Sequence, residues 1–124
     1  MKADITERKD LELLVDSFYD KVKSDDVIGY LFNDVAQVNW ELHLPKMYDF
    51  WENIIFHTAN YSGNPMLRHK ELHEKSTMEP SHFRHWNYLF NATVDELFEG
   101  EKADEIKLRA SNIAQVMRYK TIGL

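Results

Sequence analysis

The chain contains no cysteine, which excludes disulfides, thiolate metal sites and cysteine nucleophiles. No apolar run approaches the roughly 20 residues that a membrane-spanning helix needs, so no membrane partner is expected. The opening MKADITERKD carries charges but no apolar stretch. That predicts no secretory signal and a cytoplasmic location. Acidic and basic residues are interleaved at a net charge of −6. With no basic stripe, nucleic acid is not an expected partner. No segment sustains the alternation of a strand, and there is no internal repeat or low-complexity tract.

What the chain does have is helical periodicity and aromatic side chains. At 124 residues and 44% hydrophobic content it is too apolar for a disordered chain. It suits one domain, residues 1–124, with one sizeable core. Seven Phe, six Tyr, three Trp and six His are many for this length. They fit either a large aromatic core with surface histidines or a flat apolar ligand held by an imidazole.

The spacing predicts a helix from about Thr6 to Ser24, with Leu11, Leu14, Val15, Phe18 and Val22 on one stripe. Ser24-Asp25-Asp26 offers a stop and a new cap. A short apolar piece, Val27 to Phe32, is interrupted by Gly29, and 33–38 reads as a connector or a single helical turn. Asn39 can cap a helix from about Trp40 to Asn60, with a start or kink expected near His43–Pro45 because proline lacks an N–H. Tyr61 to Pro65 is a loop. A short helix from about Pro65 to Glu74 carries Met66, His69, Leu72 and His73 close to one side. Pro80 opens a helix bearing Phe83, Trp86, Phe90, Val94 and Leu97, which Gly100 is expected to stop. A last helix carries Ala103, Ile106, Ala110, Ile113 and Met117. The expected fold class is all-α.

The histidines separate by position. His69 and His73, four apart, share a helix face. A zincin would need Glu after the first of them, and that residue is Lys70. A di-iron carboxylate bundle needs two Glu-x-x-His motifs, and only Glu79-Pro80-Ser81-His82 matches. His43 and His57 lie about 20 Å apart along one helix and cannot share a metal. His57, His82 and His85 read as helix-end or surface residues. His69, on a short helix between two loops, is the best candidate for a ligand. On the residues alone, a haem protein and a plain helical interaction domain both stay open.

The ordered set Phe18-Tyr19, Ile28-Gly29, Phe32, Trp40-x-x-His43-Leu44, Phe50-Trp51, Tyr61-x-Gly63-x-Pro65-x-x-x-His69 and His82-Phe83-x-x-Trp86 resembles the group III truncated haemoglobins. The resemblance runs from about residue 5 to 120. It implies a truncated globin: a two-over-two helical sandwich around haem b (iron protoporphyrin IX). His69 matches the proximal histidine and would be the metal ligand. Tyr19, His43 and Trp86 match the distal polar residues, and Phe32 matches a phenylalanine packed on the haem. No departure occurs at these five positions.

Chemistry supports these roles. A neutral imidazole can ligate iron. O–H and N–H groups of Tyr19, Trp86 and His43 can donate to a ligand that carries negative charge. Met47, Trp51, Ile54, Ile55, Met66, Leu72, Phe83, Phe90 and Met117 are candidates for the apolar wall. His73, Lys46 and Arg68 are candidate propionate partners. The implied function is binding of dioxygen or another diatomic gas, NO or CO, at pentacoordinate haem iron. The alternative is a haem-dependent NO dioxygenase or peroxidase-like enzyme served by an external reductase. A monomer or weak dimer is expected.

Overall fold

The computed structural model describes residues 2–58 and 78–123. Among them are four long helices and no strand: α1 Arg8–Lys23, α2 Trp40–Phe56, α3 Pro80–Leu97 and α4 Glu101–Ile122. Helix α1 starts where the amides of Thr6 and Glu7 donate to Asp10 Oδ2 at 2.8 and 3.2 Å. Those donors have no partner within the helix, so the Asp10 carboxylate both satisfies them and opposes the positive end of the helix dipole. The stripe expected on α1 is buried, with Tyr19 added to it.

After α1, the Asp25 carboxylate accepts from the amides of Val27 and Ile28, both at 2.9 Å. It caps the turn that reverses the chain, as the Ser24-Asp25-Asp26 sequence predicts. Gly29 then approaches α1 so closely that a Cβ there would lie 2.8 Å from the Val22 carbonyl oxygen. Instead of a connector beginning at Asn33, a π-helical segment spans Leu31–Val35. Its buried Leu31, with Ile28 before it, anchors this stretch to the core.

Helix α2 begins at Trp40, as expected, and runs on through Pro45 without a fresh start near His43–Pro45; its expected end is corrected. Its first amides, from Leu42 and His43, reach the main-chain carbonyl of Asn39, whose side chain makes no cap. The bond that proline forfeits would go to the carbonyl of Glu41. Both residues are exposed, so solvent can meet that carbonyl. The helix ends at Phe56, short of Asn60, because His57 turns into the left-handed region at φ 56°.

Pro80 opens α3 as expected, and His82 Nδ1 accepts the Glu79 amide at 3.0 Å. Gly100 does not stop α3. That helix ends at Leu97, and Gly100, at φ 143°, opens α4 instead. The cap of α4 comes from far away in sequence. Asp4 accepts from the amides of Lys102 and Ala103 at 3.0 and 2.9 Å, tying the N-terminal segment to the last helix.

Helix α3 packs along α4, α1 packs on both α2 and α3, and α2 touches α4 lightly. The pairs α1/α2 and α3/α4 therefore face each other across a core holding Phe18, Phe90, Leu14, Ile55 and Ile106. Each such side chain contributes about 1.5–3 kcal/mol by leaving water. On the outside, Arg8 bonds Glu12, Asp49 and Glu52 at 2.8–3.0 Å, so its guanidinium joins α1 to α2. Such half-exposed pairs set register more than they add stability.

Candidate functional site

Phe18 and Tyr19 are neighbours in sequence, yet both are buried, because they point to different partners. Phe18 faces α3, with its ring 5.6 Å from Trp86 and 5.2 Å from Phe90. Tyr19 faces the start of α2. Its ring centroid lies 5.2 Å from Trp40, 5.4 Å from His43 and 6.0 Å from Phe32. The two rings of this pair are themselves 4.9 Å apart, so Phe18 links the Tyr19 cluster to Trp86.

The first cluster assembles from three elements. Helix α1 supplies Tyr19, the π-helical segment supplies Phe32, and the first turn of α2 supplies Trp40 and His43. Trp40 and His43 are three apart, so helical geometry places them on one side, 5.7 Å apart. Trp40 also stacks on Phe32 at 6.1 Å, and the ammonium of Lys23 lies 4.7 Å from its ring centroid. Asn33 Nδ2 donates to the Lys23 carbonyl at 2.8 Å, fastening the π-helical segment to the end of α1. The second cluster is a stack: Trp86 on Phe90 at 5.6 Å, and Phe90 on Trp51 at 4.8 Å.

The sequence-predicted residues thus fall into three sets. Tyr19, Phe32 and His43 come together directly, and Trp86 joins them through Phe18. Trp51, Ile55 and Phe83 are buried, whereas Met47, Ile54, Phe32, His43 and Trp86 are half-buried. Met66, His69, Leu72 and His73, with Arg68, lie outside the described residues. Lys46 is exposed. Trp40 is the residue that sequence reasoning leaves without a role. Its spacing to His43 is the available signal, but its stacking on Phe32 depends on a π-helical segment that periodicity does not foretell.

The remaining histidines have structural posts. His57 is the exposed end of α2, and His82 takes part in the opening of α3. His85 is more than a surface residue: its Nε2 lies 2.8 Å from Asp25 Oδ1, and both are largely covered. Burial alone would raise the Asp25 carboxyl. The bonds from His85, Ile28 and Val27 outweigh it and hold the group below its usual range. Tyr48, on the flank facing α1, donates to Asp16, and burial together with that carboxylate pushes its hydroxyl well up. Among the described residues there is no group of three or more His, Asp or Glu side chains able to hold a metal ion.

This side-chain set fits a flat apolar group. Half-buried Phe32, Leu44, Met47, Ile54 and Trp86 back onto the core without being closed over. Among them stand a phenol, an imidazole and an indole, each with an apolar body and one polar tip.

Residues 4–119 match the model of the bacterial-like globins, and the chain belongs to that family. Globins carry haem, so haem is the cofactor implied for this chain. The chain is 28% identical to the "Group 3 truncated hemoglobin ctb" of Campylobacter jejuni, an alignment covering 99% of both proteins. It also superposes on a crystal structure of the group III truncated haemoglobin from Campylobacter jejuni. There the TM-score is 0.84 at 24% identity, covering 98% of this chain and 95% of the other. The fold is a truncated globin, as the resemblance implies.

Proposed function

We propose that the chain binds a diatomic gas at haem b, with His69 as the proximal ligand and Tyr19, His43 and Trp86 as the distal polar groups. The observation that carries the reading is the meeting of Tyr19 and His43 inside an aromatic shell of Phe32 and Trp40. Haem supplies an iron with an open position for dioxygen, NO or CO. The chain supplies everything that discriminates among them. Tyr19 Oη and Trp86 Nε1 each carry a hydrogen that can donate to a polar ligand. Surrounding aromatic rings exclude water, so each such bond acts in a low-dielectric setting. Phe32, Met47, Trp51, Ile54, Ile55, Met66, Leu72 and Phe83 cover the flat faces, and His73 meets a propionate.

The same proposal includes a single domain over residues 1–124, a cytoplasmic location and a monomer or weak dimer. Turnover as an NO dioxygenase or a peroxidase would need an external reductase. The test is spectroscopic. Protein titrated with hemin should saturate at one haem per chain, and the reduced product should change its absorption spectrum on exposure to CO and to dioxygen. A saturable haem complex whose spectrum ignores both gases would overturn the gas-binding reading.

A further inference from the structure

Trp86 joins the Tyr19 cluster through the ring of Phe18. Ring contacts let one helix slide along another more freely than a short hydrogen bond does. Such a bond stands at the residue just before Trp86. His85 Nε2 lies 2.8 Å from Asp25 Oδ1, across 60 residues of sequence. A carboxylate only accepts, so the imidazole donates through Nε2. Both side chains are largely covered, which strengthens the bond relative to one at the surface. Tyr88, one turn further along α3, stacks on the imidazole with centroids 6.2 Å apart.

Asp25 uses both of its carboxylate oxygens. Oδ1 accepts from His85, and Oδ2 accepts from the amides of Val27 and Ile28. These bonds hold the carboxyl below its usual range, so it accepts as an anion at neutral pH. From Asp25 the chain is tied stepwise to the pocket. The Gly29 amide donates to the Asp25 carbonyl and the Leu31 amide to the Ile28 carbonyl, both at 3.1 Å. Leu31 opens the π-helical segment that carries Phe32. Ile28 and Leu31 are buried, and Gly29 lies tight against the Val22 carbonyl, so this stretch has little room to relax alone. Packed interiors transmit strain. A shift at Asp25 therefore passes to Phe32, and a shift at His85 passes along α3 to Trp86.

We propose that His85 is a positioning residue of the distal pocket: by donating to Asp25 it fixes Trp86 on α3 against the π-helical segment that carries Phe32. His85 touches no bound gas itself, and its role rests on the gas-binding reading above. Tyr30 Oη reaches His82 Nε2 at 3.5 Å, one turn earlier on α3, and supports the same join more loosely. Towards the other end of α3, Lys21 on α1 bonds Thr93 at 3.2 Å and pairs with Glu96. Helix α3 is thus held to the N-terminal part of the chain near both ends, and the His85 tie is the one adjoining Trp86.

The test compares wild type with H85L, which removes the donor, and H85Q, whose amide N–H can donate to the same carboxylate. K107M, which cuts the Lys107–Asp95 pair between α4 and α3, controls for general loosening. Each protein is loaded with haem, reduced and saturated with CO. Wild type, H85Q and K107M should share one infrared C–O stretching band, because a fixed indole gives the ligand one environment. H85L should shift or split that band and speed dioxygen release by about threefold or more. In ¹⁵N-labelled carbonyl protein, H85L should also move the Trp86 indole and Phe32 amide resonances, and H85Q should leave both in place. The proposal is overturned by a wild-type band and release rate in H85L, by H85Q as defective as H85L, or by a K107M band displaced as H85L's is. A wild type that forms no carbonyl complex fails before any variant is compared, and overturns the gas-binding reading and the distal role together.

Discussion

The rings of Tyr19 and His43 meet edge to face, 5.4 Å apart and at 80° to one another. They come from α1 and α2, and Trp40 closes the group by touching both. An aromatic edge presented to a ring face is favourable by about 0.5–1.5 kcal/mol beyond burial. The contact therefore sets how α1 and α2 meet at the pocket, and it fixes where two polar tips stand.

Tyr19 and Trp86 are not in ring contact but both lean on Phe18. If both donate to one bound gas, their removal should be felt most for dioxygen, which takes up negative charge, and least for CO. Tyr19→Phe should speed dioxygen release from the ferrous protein by about tenfold or more. Trp86→Phe should act in the same direction, and the double mutant should fall short of the product, because the donors share an acceptor. Stopped-flow dioxygen release on the three variants checks this. Unchanged release in both singles would make them packing residues.

Acid should loosen the fold through Asp4 and Asp25. Burial alone would raise both carboxyls. Backbone bonds from Lys102, Ala103 and Ile5 to Asp4, and from Ile28 and Val27 with His85 to Asp25, hold them below the usual value near 3.8. A folded value below the unfolded one means stability that is present above the unfolded value and lost as pH falls through the folded one. Asp4→Ala and Asp25→Ala should each cost about 1 kcal/mol at neutral pH, as lost caps do. Each should also flatten the fall in stability on acidification. Urea unfolding at a series of pH values measures both effects. Parallel slopes in wild type and variants would contradict the assignment.

Gly100 is set by two independent constraints. Its φ of 143° is a conformation that side chains rarely adopt, and a Cβ would fall 2.5 Å from Asp4 Cγ. Gly100→Ala should therefore strain the backbone and displace the distant cap together, at about 2–4 kcal/mol. Gly123→Ala meets no atom within 4 Å of the added carbon and should cost less, despite its own φ of 75°. Thermal unfolding of the pair separates local backbone strain from the lost Asp4 contact.

Periodicity in the sequence foretells the four long helices, because an apolar stripe every three to four residues needs no partner to be recognised. The capping aspartate at Asp25 is equally legible, since its donors follow within three residues. Gly100 is misread as a stop because its reason lies at Asp4, almost a hundred residues away. The end of α2 at His57 is missed for a different reason: a left-handed histidine has no spacing signal. At the candidate site, Tyr19, Phe32, His43 and Trp86 are legible from family resemblance rather than from physics. Trp40 becomes visible only once the π-helical segment brings Phe32 onto its face.

The account rests above all on His69. The most direct measurement is the absorption spectrum of wild type and His69→Ala, each titrated with hemin, then reduced and exposed to CO. Wild type should reach a sharp Soret end point at one haem per chain and give a ferrous-carbonyl spectrum characteristic of a histidine ligand. His69→Ala should bind haem more weakly and lose that spectrum, with imidazole added in solution restoring it. Identical Soret and ferrous-carbonyl spectra in the two proteins would contradict the assignment of His69 to the iron.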